Sequence, residues 1–302
     1  MNPAETVWKV PESSSAFDLR VDDDTDVRVR RHGNPDGLRL VLCHGNGLAI
    51  DLYYPFWSLL TDEFDVIVHD LRNHGQNAVG PLENHTLPTL AADHDLVIEA
   101  IGAEWGPKPT VGVYHSVSSM AALLAPSSGS NLAALVLFDP PLRRPGVLHE
   151  AFDDAAIDQA RRARGRSSRF RSKENFADLM GFSPTFHDVV DGVAHLAAET
   201  TIRDAADGRG YELRCPPEYE GQIIEYARLF AVLVDLPSVR CPVKVIGADP
   251  TLPYSYLPTF DLGDMVGVDY DFLPDATHML QLQQPAECVA VMREFLGSVG
   301  LL

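Results

Sequence analysis

Short apolar runs alternate with longer amphipathic stretches along most of this 302-residue chain. The runs that we predict as strands cover residues 17–21, 27–31, 38–44, 64–70, 110–115, 134–139, 243–247 and 270–273. The first two are polar and resemble an edge hairpin, whereas the later ones are apolar on both parities, as in parallel strands covered on both faces. Residues 87–103 and 286–296 carry apolar side chains at helical spacing. The alternation predicts a mostly parallel α/β sheet.

The alternation of strands and helices stops between residues 141 and 238. This stretch is helix-like and has no convincing strand pattern; it follows Pro140 and closes near Pro237 and Pro242. We therefore predict a helical cap at residues 141–238, inserted into a core made of residues 1–140 and 239–302.

The charge balance narrows the classes of partner. The chain has 24 basic and 43 acidic residues, a net charge of −19, which repels the phosphates of nucleic acids and anionic membranes. Residues 1–20 lack a secretory signal pattern, and the sequence has no apolar run long enough for a membrane span. The four cysteines are scattered and form no CxxC pair. We expect a reduced, cytoplasmic enzyme that acts on a small molecule, and leave a homodimer open.

Ser116 lies at the joint between a strand and a helix in VGVYHSVSSM, residues 111–120. A tight turn there lifts the serine hydroxyl out of the sheet and directs the backbone N–H of Val117 to the same point. Such a turn usually has small residues two positions before and two positions after the serine. Ser118 fits this pattern, but Tyr114 stands where glycine is usual. The alternative is a strand end followed by a serine that caps a helix.

The motif LCHGNG, residues 42–47, ends another apolar strand in glycines. Gly45 and Gly47 would let the backbone turn sharply and approach a ligand closely. An oxyanion hole needs such a backbone N–H, and we predict Asn46 as one donor and Val117 as the second. The alternative is an ordinary glycine turn, and we interpret His44 as structural.

Three further residues could complete a catalytic triad. His278 lies on a loop after a late strand, in YDFLPDATHMLQLQQP, from which an imidazole can reach a nucleophile. Asp249 ends the strand-like VKVIGADP, and Asp139 follows an earlier strand in LVLFDP. Either carboxylate could hold the imidazole.

Together these motifs, in this order and spacing, resemble the landmarks of the α/β-hydrolase superfamily. VHDLRNHGQN, residues 68–77, is similar to the Asp-x-Arg-x-x-Gly loop of that superfamily. The resemblance implies an eight-stranded, mostly parallel sheet flanked by helices and carrying a cap. It also implies Ser116 as nucleophile, His278 as base, and Asn46 and Val117 as oxyanion donors. The chain order Ser, Asp, His favours Asp249 as the acid. Asp139 stays as the alternative, because Asp249 stands one residue closer to the preceding glycine than is common.

The predicted activity is the cofactor-free hydrolysis of a carboxylic ester or lactone of a moderately apolar molecule. A serine at position 116 argues against the carboxylate-nucleophile chemistry of dehalogenases and epoxide hydrolases. Carbon–carbon bond hydrolases, thioesterases and amidases use similar triads and stay open, as does a non-catalytic ligand-binding homologue. The residues that we expect to contact the substrate are Gly45, Gly47, Tyr53, Tyr54 and Tyr114.

Two other clusters of side chains have competing interpretations. The first contains His69, Asp70, His74, His85, Asp93, His94 and Asp95. Their spacing fits no metal motif, so we expect no metal. The second, residues 161–173, carries seven basic side chains. It would either attract an anionic substrate or, as we favour, form a solvated helix face that pairs with nearby acids.

Overall fold

The computed structural model describes residues 7–142, 150–252 and 269–302. Its strands are β1 (Ser15–Asp22), β2 (Thr25–Gly33), β3 (Arg39–Cys43), β4 (Asp65–His69), β5 (Thr110–His115), β6 (Ala134–Phe138), β7 (Arg169–Phe170), β8 (Ile202–Asp204), β9 (Tyr211–Leu213), β10 (Val243–Gly247) and β11 (Asp269–Phe272). Eight of them form one sheet in the order β1-β2-β4-β3-β5-β6-β10-β11. The pairs β1–β2 and β2–β4 are antiparallel, and the others are parallel. The predicted sheet and all eight predicted core strands are confirmed.

Helices cover both faces of the sheet. They are α1 (Tyr54–Trp57), α2 (Leu87–Trp105), α3 (Val117–Leu123), α4 (Glu150–Gly165), α5 (Lys173–Gly181), α6 (Val193–Thr200), α7 (Pro217–Phe230), α8 (Leu280–Gln283) and α9 (Pro285–Ser298). Successive residues of β3 face opposite sides, so Leu40 and Leu42 pack toward α1 and α9, whereas Val41 packs toward α2 and α3. This two-sided burial explains why the central strands are apolar on both parities.

The segment between β6 and β10 contains α4 to α7, as predicted, but it also contains strands. The short strands β7, β9 and β8 form an antiparallel sheet in that order. The prediction of a segment without strands is therefore wrong, because strands of two or three residues are too short to show an alternating pattern. The predicted boundaries, 141–238, remain a prediction. Among the described residues, none of the helices combines the length and apolarity that crossing a membrane requires.

Candidate active site

Ser116 lies between β5 and α3 in a strained backbone conformation. Its φ is 54° and its ψ is −120°, a region that non-glycine residues seldom occupy. Such strain costs about 1–3 kcal/mol and persists only where the surroundings hold it. Here the N–H of Ser116 donates to the carbonyl of Phe138 at the end of β6, over 2.9 Å. The turn therefore presents the hydroxyl at the carboxyl edge of the sheet.

His278 connects Ser116 to an aspartate. Its Nε2 lies 3.0 Å from Ser116 Oγ, and its Nδ1 lies 2.5 Å from Asp139 Oδ2. The second oxygen of Asp139 accepts from the N–H of Ala248 over 3.1 Å. Burial alone would raise the pKa of Asp139, but the hydrogen bond and charge of His278 and the Ala248 N–H lower it overall. Asp139 is therefore the carboxylate that holds the imidazole.

The preference for Asp249 as the acid is wrong. Its side chain accepts instead from the N–H and hydroxyl of Thr251, over 2.8 and 2.7 Å, and from the N–H of Asp275, over 2.9 Å. These hydrogen bonds lower the pKa of Asp249. β6 is the immediate neighbour of β5, whereas β10 lies one strand further away, so Asp139 is next to Ser116. Asp249 instead braces the loop that carries His278.

Both predicted oxyanion donors lie beside Ser116. Val117 is the first residue of α3, and Asn46 lies in the loop after β3, with both residues lining a cavity at the serine. Among the described residues, no hydrogen bond uses the backbone N–H of either one. A Cβ atom on Gly45 would lie 2.6 Å from His115 Nδ1 and 3.2 Å from Ser116 Cβ. The close approach of this loop to the nucleophile therefore requires glycine.

His115, which the sequence interpretation did not single out, joins the three parts of the site. Its Nε2 lies 2.8 Å from the carbonyl oxygen of His278, and its Nδ1 lies 2.6 Å from the hydroxyl of Tyr53. A carbonyl only accepts, so Nε2 carries the proton and Nδ1 accepts from Tyr53. The Tyr53 oxygen also accepts from the N–H of Gly45 over 3.2 Å. Burial lowers the pKa of His115 to about 3, so the ring is neutral near pH 7.

Comparisons with known proteins agree with this geometry. Residues 40–291 match the model of the Alpha/beta hydrolase family. The chain belongs to the alpha/beta hydrolase family. Membership in the alpha/beta hydrolase family supports a hydrolase as the coarse description of its activity.

Individual relatives of this alpha/beta hydrolase are distant. The "Protein phosphatase methylesterase 1" of Pongo abelii is 29% identical over 166 residues, which cover 53% of this chain and 41% of the relative. The "Probable oxidoreductase EphD" of Mycobacterium tuberculosis is 25% identical over 283 residues, covering 78% of this chain and 42% of the relative. The chain thus spans about two fifths of the length of these curated relatives. The crystal structure of E-2-(acetamidomethylene)succinate hydrolase superposes with a TM-score of 0.75 at 18% identity, covering 94% of this chain and 99% of that one.

In this alpha/beta hydrolase, the three tyrosines predicted to contact substrate lie outside the cleft above Ser116. Tyr53 is 1% exposed and supports Gly45 and His115 from below. Tyr54 packs edge-on against Trp8 and Trp57. Those two predictions are wrong, because Tyr53 is buried in hydrogen bonds with Gly45 and His115 before α1 begins, and Tyr54, the first residue of α1, packs against tryptophans. Gly45 and Gly47 do line the cleft.

Tyr114 is also wrongly predicted as a substrate contact. It precedes His115 on β5, and alternation turns its ring to the face of the sheet covered by α2 and α3, where its hydroxyl lies 3.1 Å from His94 Nε2. A Cβ atom on Gly112 would lie 2.4 Å from the Tyr114 ring. The absence of a side chain at Gly112 therefore makes room for the tyrosine that replaces the usual glycine of the turn.

A cleft of about 460 Å³ lies above the triad, between the core and the inserted segment. Its floor contains Ser116, His278 and the loop at Gly45, and its walls come from α4, α7 and the stretch after α5. A second, apolar chamber of about 30 Å³ adjoins Ser116 and Val117 and is lined mainly by α4 and α7. Ser116 thus borders both the large cleft and the small apolar chamber.

Six histidines are buried among the described residues and have lowered pKa values. Burial is the main cause, and the pKa falls to about 4 for His32 and His69, about 3 for His44, His74 and His115, and about 2 for His85. They are neutral near pH 7. Several act in hydrogen bonds; His44, for example, accepts from the N–H of Leu71 over 3.1 Å.

A trio of potential metal ligands, His74, His85 and Cys215, lies within 4.8 Å. Both nitrogens of His74 already have protein partners, since Nε2 accepts from Gly47 N–H over 3.0 Å and Nδ1 lies 2.8 Å from the carbonyl of Arg72. The carboxylates that the sequence grouped with these histidines are also engaged in the protein. Asp70 accepts from Ile50 N–H, and Asp93 binds Arg72.

Proposed function

We propose that this protein hydrolyses a carboxylic ester or lactone through Ser116, His278 and Asp139. The observation that carries the proposal is the continuous contact from Ser116 Oγ to His278 Nε2 and from His278 Nδ1 to Asp139, on a strained turn at the carboxyl edge of the sheet. This is the arrangement that turns a serine hydroxyl into a nucleophile near neutral pH.

The first half of the reaction transfers the acyl group to the serine. Ser116 Oγ attacks the carbonyl carbon while His278 Nε2 takes the hydroxyl proton, and Asp139 stabilises the resulting imidazolium. The N–H groups of Asn46 and Val117 hold the negative oxygen. The ester C–O bond then breaks, and His278 returns the proton to the departing alcohol oxygen. This leaves an acyl-enzyme and a neutral alcohol.

The second half regenerates the serine. Water attacks the acyl carbon and gives one proton to His278, and the bond between that carbon and Ser116 Oγ breaks. The proton on His278 returns to the serine oxygen, and the carboxylic acid leaves. The reaction consumes only the ester and water, so the residues described above account for every proton that moves.

The choice of an ester over other acyl compounds is supported by a relative. The curated relative from Pongo abelii is named a methylesterase, and the part aligned with it covers 53% of this chain. The small apolar chamber beside Val117 has room for a group of the size of a methyl or ethyl. We therefore place a short alkyl group of the substrate there.

Covalent labelling of the serine tests the proposal. A fluorophosphonate probe should label the wild-type protein, and p-nitrophenyl esters should be hydrolysed with a burst of p-nitrophenol. Ser116→Ala should lose both. Ser119→Ala is the matched control, because its hydroxyl donates to the carbonyl of Tyr114 over 3.0 Å and takes no part in the triad. Full esterase activity in Ser116→Ala would refute the proposal, and absence of labelling in the wild type would favour a ligand-binding homologue.

A panel of substrates then resolves the acyl chemistry. We expect esters and lactones to exceed thioesters, amides and 1,3-diketones in kcat/KM. A preference for a diketone would instead assign carbon–carbon bond hydrolysis to the same three residues. A preference for thioesters or amides would likewise assign thioester or amide hydrolysis to them.

A further inference from the structure

The C-terminal part of α4 and the residue that follows it form one wall of the cleft. Gln159, Arg162, Ala163 and Arg166 all line this wall. Gln159, Arg162 and Ala163 are three and four residues apart on α4 and so share one side of the helix, and Arg166 directly follows its last residue, Gly165. The catalytic Ser116 and His278 lie at the floor of the same cleft. Two guanidinium groups thus belong to the cavity in which the substrate would bind.

The other basic residues of the stretch 161–173 mostly pair with acids of the inserted segment. Arg164 binds Glu225 and Glu218, Arg169 contacts Asp207, and Lys173 contacts Glu199. The prediction that this stretch pairs with nearby acids is confirmed for these three. Arg162 and Arg166 differ because they also face the cleft.

Arg162 shares its carboxylate with a neighbour. Its Nε lies 2.6 Å from Asp158, and Arg161 contacts the same aspartate. The single carboxylate of Asp158 is therefore shared by two guanidinium groups. The Arg162 side chain is 78% exposed, and a guanidinium has five N–H donors. Donors and positive charge consequently remain for an anion in the cleft.

Arg166 Nη2 contacts Glu220 Oε2 on α7, but this pair leaves another donor of the guanidinium unused. Within the described part of the chain, Arg166 Nε is buried and makes no hydrogen bond. A buried N–H without an acceptor is costly, which favours an acceptor supplied by a ligand. Burial raises the pKa of Glu220, although the contact with Arg166 acts in the opposite direction.

We propose that Arg162 and Arg166 form a subsite for a carboxylate carried by the substrate, so that the enzyme acts on esters of acidic small molecules. This inference rests on the proposed ester hydrolysis at Ser116. The chain carries a net charge of −19, which repels an anion at long range. A cationic wall inside the cleft is therefore needed to hold an acidic substrate, and the planar fork of arginine fits a carboxylate with two parallel hydrogen bonds.

A matched pair of esters tests the subsite. The p-nitrophenyl monoester of glutaric acid carries a carboxylate, and p-nitrophenyl pentanoate is its neutral counterpart of equal chain length. Wild-type protein should show a higher kcat/KM for the anionic ester. Arg162→Gln and Arg166→Gln should each lower the anionic-to-neutral ratio by about tenfold, as loss of a charged hydrogen bond does. Arg162→Lys keeps the charge and should keep most of the ratio.

Arg161→Gln is the matched control, because Arg161 is adjacent, 80% exposed, and binds the same Asp158 without lining the cleft. Its ratio should stay within about twofold of the wild type. Raising the salt concentration from about 0.05 to about 0.5 M should lower the ratio in the wild type and have a smaller effect in Arg162→Gln. Arg162 is exposed, so Arg162→Gln keeps the test valid if Arg166→Gln folds poorly.

The outcomes separate this inference from the proposed function. If both esters are hydrolysed through Ser116 but neither arginine variant changes the ratio, the subsite is overturned and the ester hydrolase stands. If the wild type hydrolyses neither ester, the proposed function fails. Calorimetric titration of glutarate into the wild type, Arg162→Gln and Arg166→Gln then decides the subsite: weaker binding in either variant supports it, and equal binding in all three overturns it.

Discussion

The substitution Asp139→Asn would remove the negative charge of the side chain while preserving its shape. The hydrogen bonds around position 139 determine the orientation of the new amide. Asp139 Oδ1 accepts from the N–H of Ala248, whereas Oδ2 faces His278 Nδ1. An amide must keep its oxygen toward the Ala248 N–H, so its NH2 group would face the imidazole. His278 Nδ1 must then accept a hydrogen bond, and its proton moves to Nε2.

That tautomer cannot take the proton of Ser116, because Nε2 is the atom 3.0 Å from the serine oxygen. The imidazolium that forms during the reaction would also lose its carboxylate. We expect kcat for a p-nitrophenyl ester to fall by about 10³- to 10⁴-fold, which corresponds to about 4–5.5 kcal/mol in the activation barrier. KM should change little, since Asp139 lies behind His278 and does not line the cleft.

Asp249→Asn is the matched control. Its amide oxygen still accepts from one of its present donors, and kcat should stay within about threefold of the wild type, because a braced loop tolerates the loss of one hydrogen bond. Circular dichroism and thermal melting should show both variants folded. The reasoning is refuted if Asp249→Asn loses activity a thousandfold while Asp139→Asn keeps it, since Asp249 would then be the functional acid.

The remaining predictions concern the support of the site. Tyr53→Phe should lower kcat by about tenfold and destabilise the fold by about 1–3 kcal/mol, because the Gly45 N–H and His115 Nδ1 lose a partner; an unchanged kcat and melting temperature would contradict this. Tyr114→Phe should cost about 1 kcal/mol of stability with kcat/KM unchanged, since the hydroxyl contacts only His94 among the described groups; a loss of activity without a loss of stability would contradict it. Stability should also fall as pH decreases from about 6.5, because the six buried histidines have folded-state pKa values below their ordinary 6.5, so the unfolded chain binds more protons. Each costs up to about 1.4 kcal/mol at pH 5.5, and melting temperatures that stay constant between pH 7.5 and 5.5 would refute this.

The core sheet was predictable because burial on both faces leaves a simple signature. Each central strand is a short apolar run bounded by turn residues, and the antiparallel strands β1 and β2 show polar alternation. The small sheet of the inserted segment left no such trace. β7 has two residues and β8 and β9 have three each, so their pairing depends on tertiary contacts and not on local pattern.

The site residues were predictable where their position directly after a strand was enough to identify them. They were not predictable where the assignment depended on which strands are neighbours or on which face of the sheet a side chain lies. Ser116 and His278 were found from their positions after β5 and β11. The choice between Asp139 and Asp249 turns on which strand borders β5, and sequence order alone does not contain that information. Tyr114 was assigned to the wrong face although strict alternation from His115 would have turned it away from the cleft.

Placing the acid after β6 has a consequence for how the triad is held together. Ser116 and Asp139 terminate neighbouring strands, and both have positive φ, 54° and 41°. The Ser116 N–H donates to the carbonyl of Phe138, the residue directly before Asp139, so a backbone hydrogen bond fixes the serine relative to the acid. His278 is the member that sits on a loop, and its position is set by His115 at its carbonyl and by Asp249 at Asp275. Loss of the His115 contact should therefore move the base while the serine and the acid stay in place, which predicts an effect on kcat that exceeds the effect on stability.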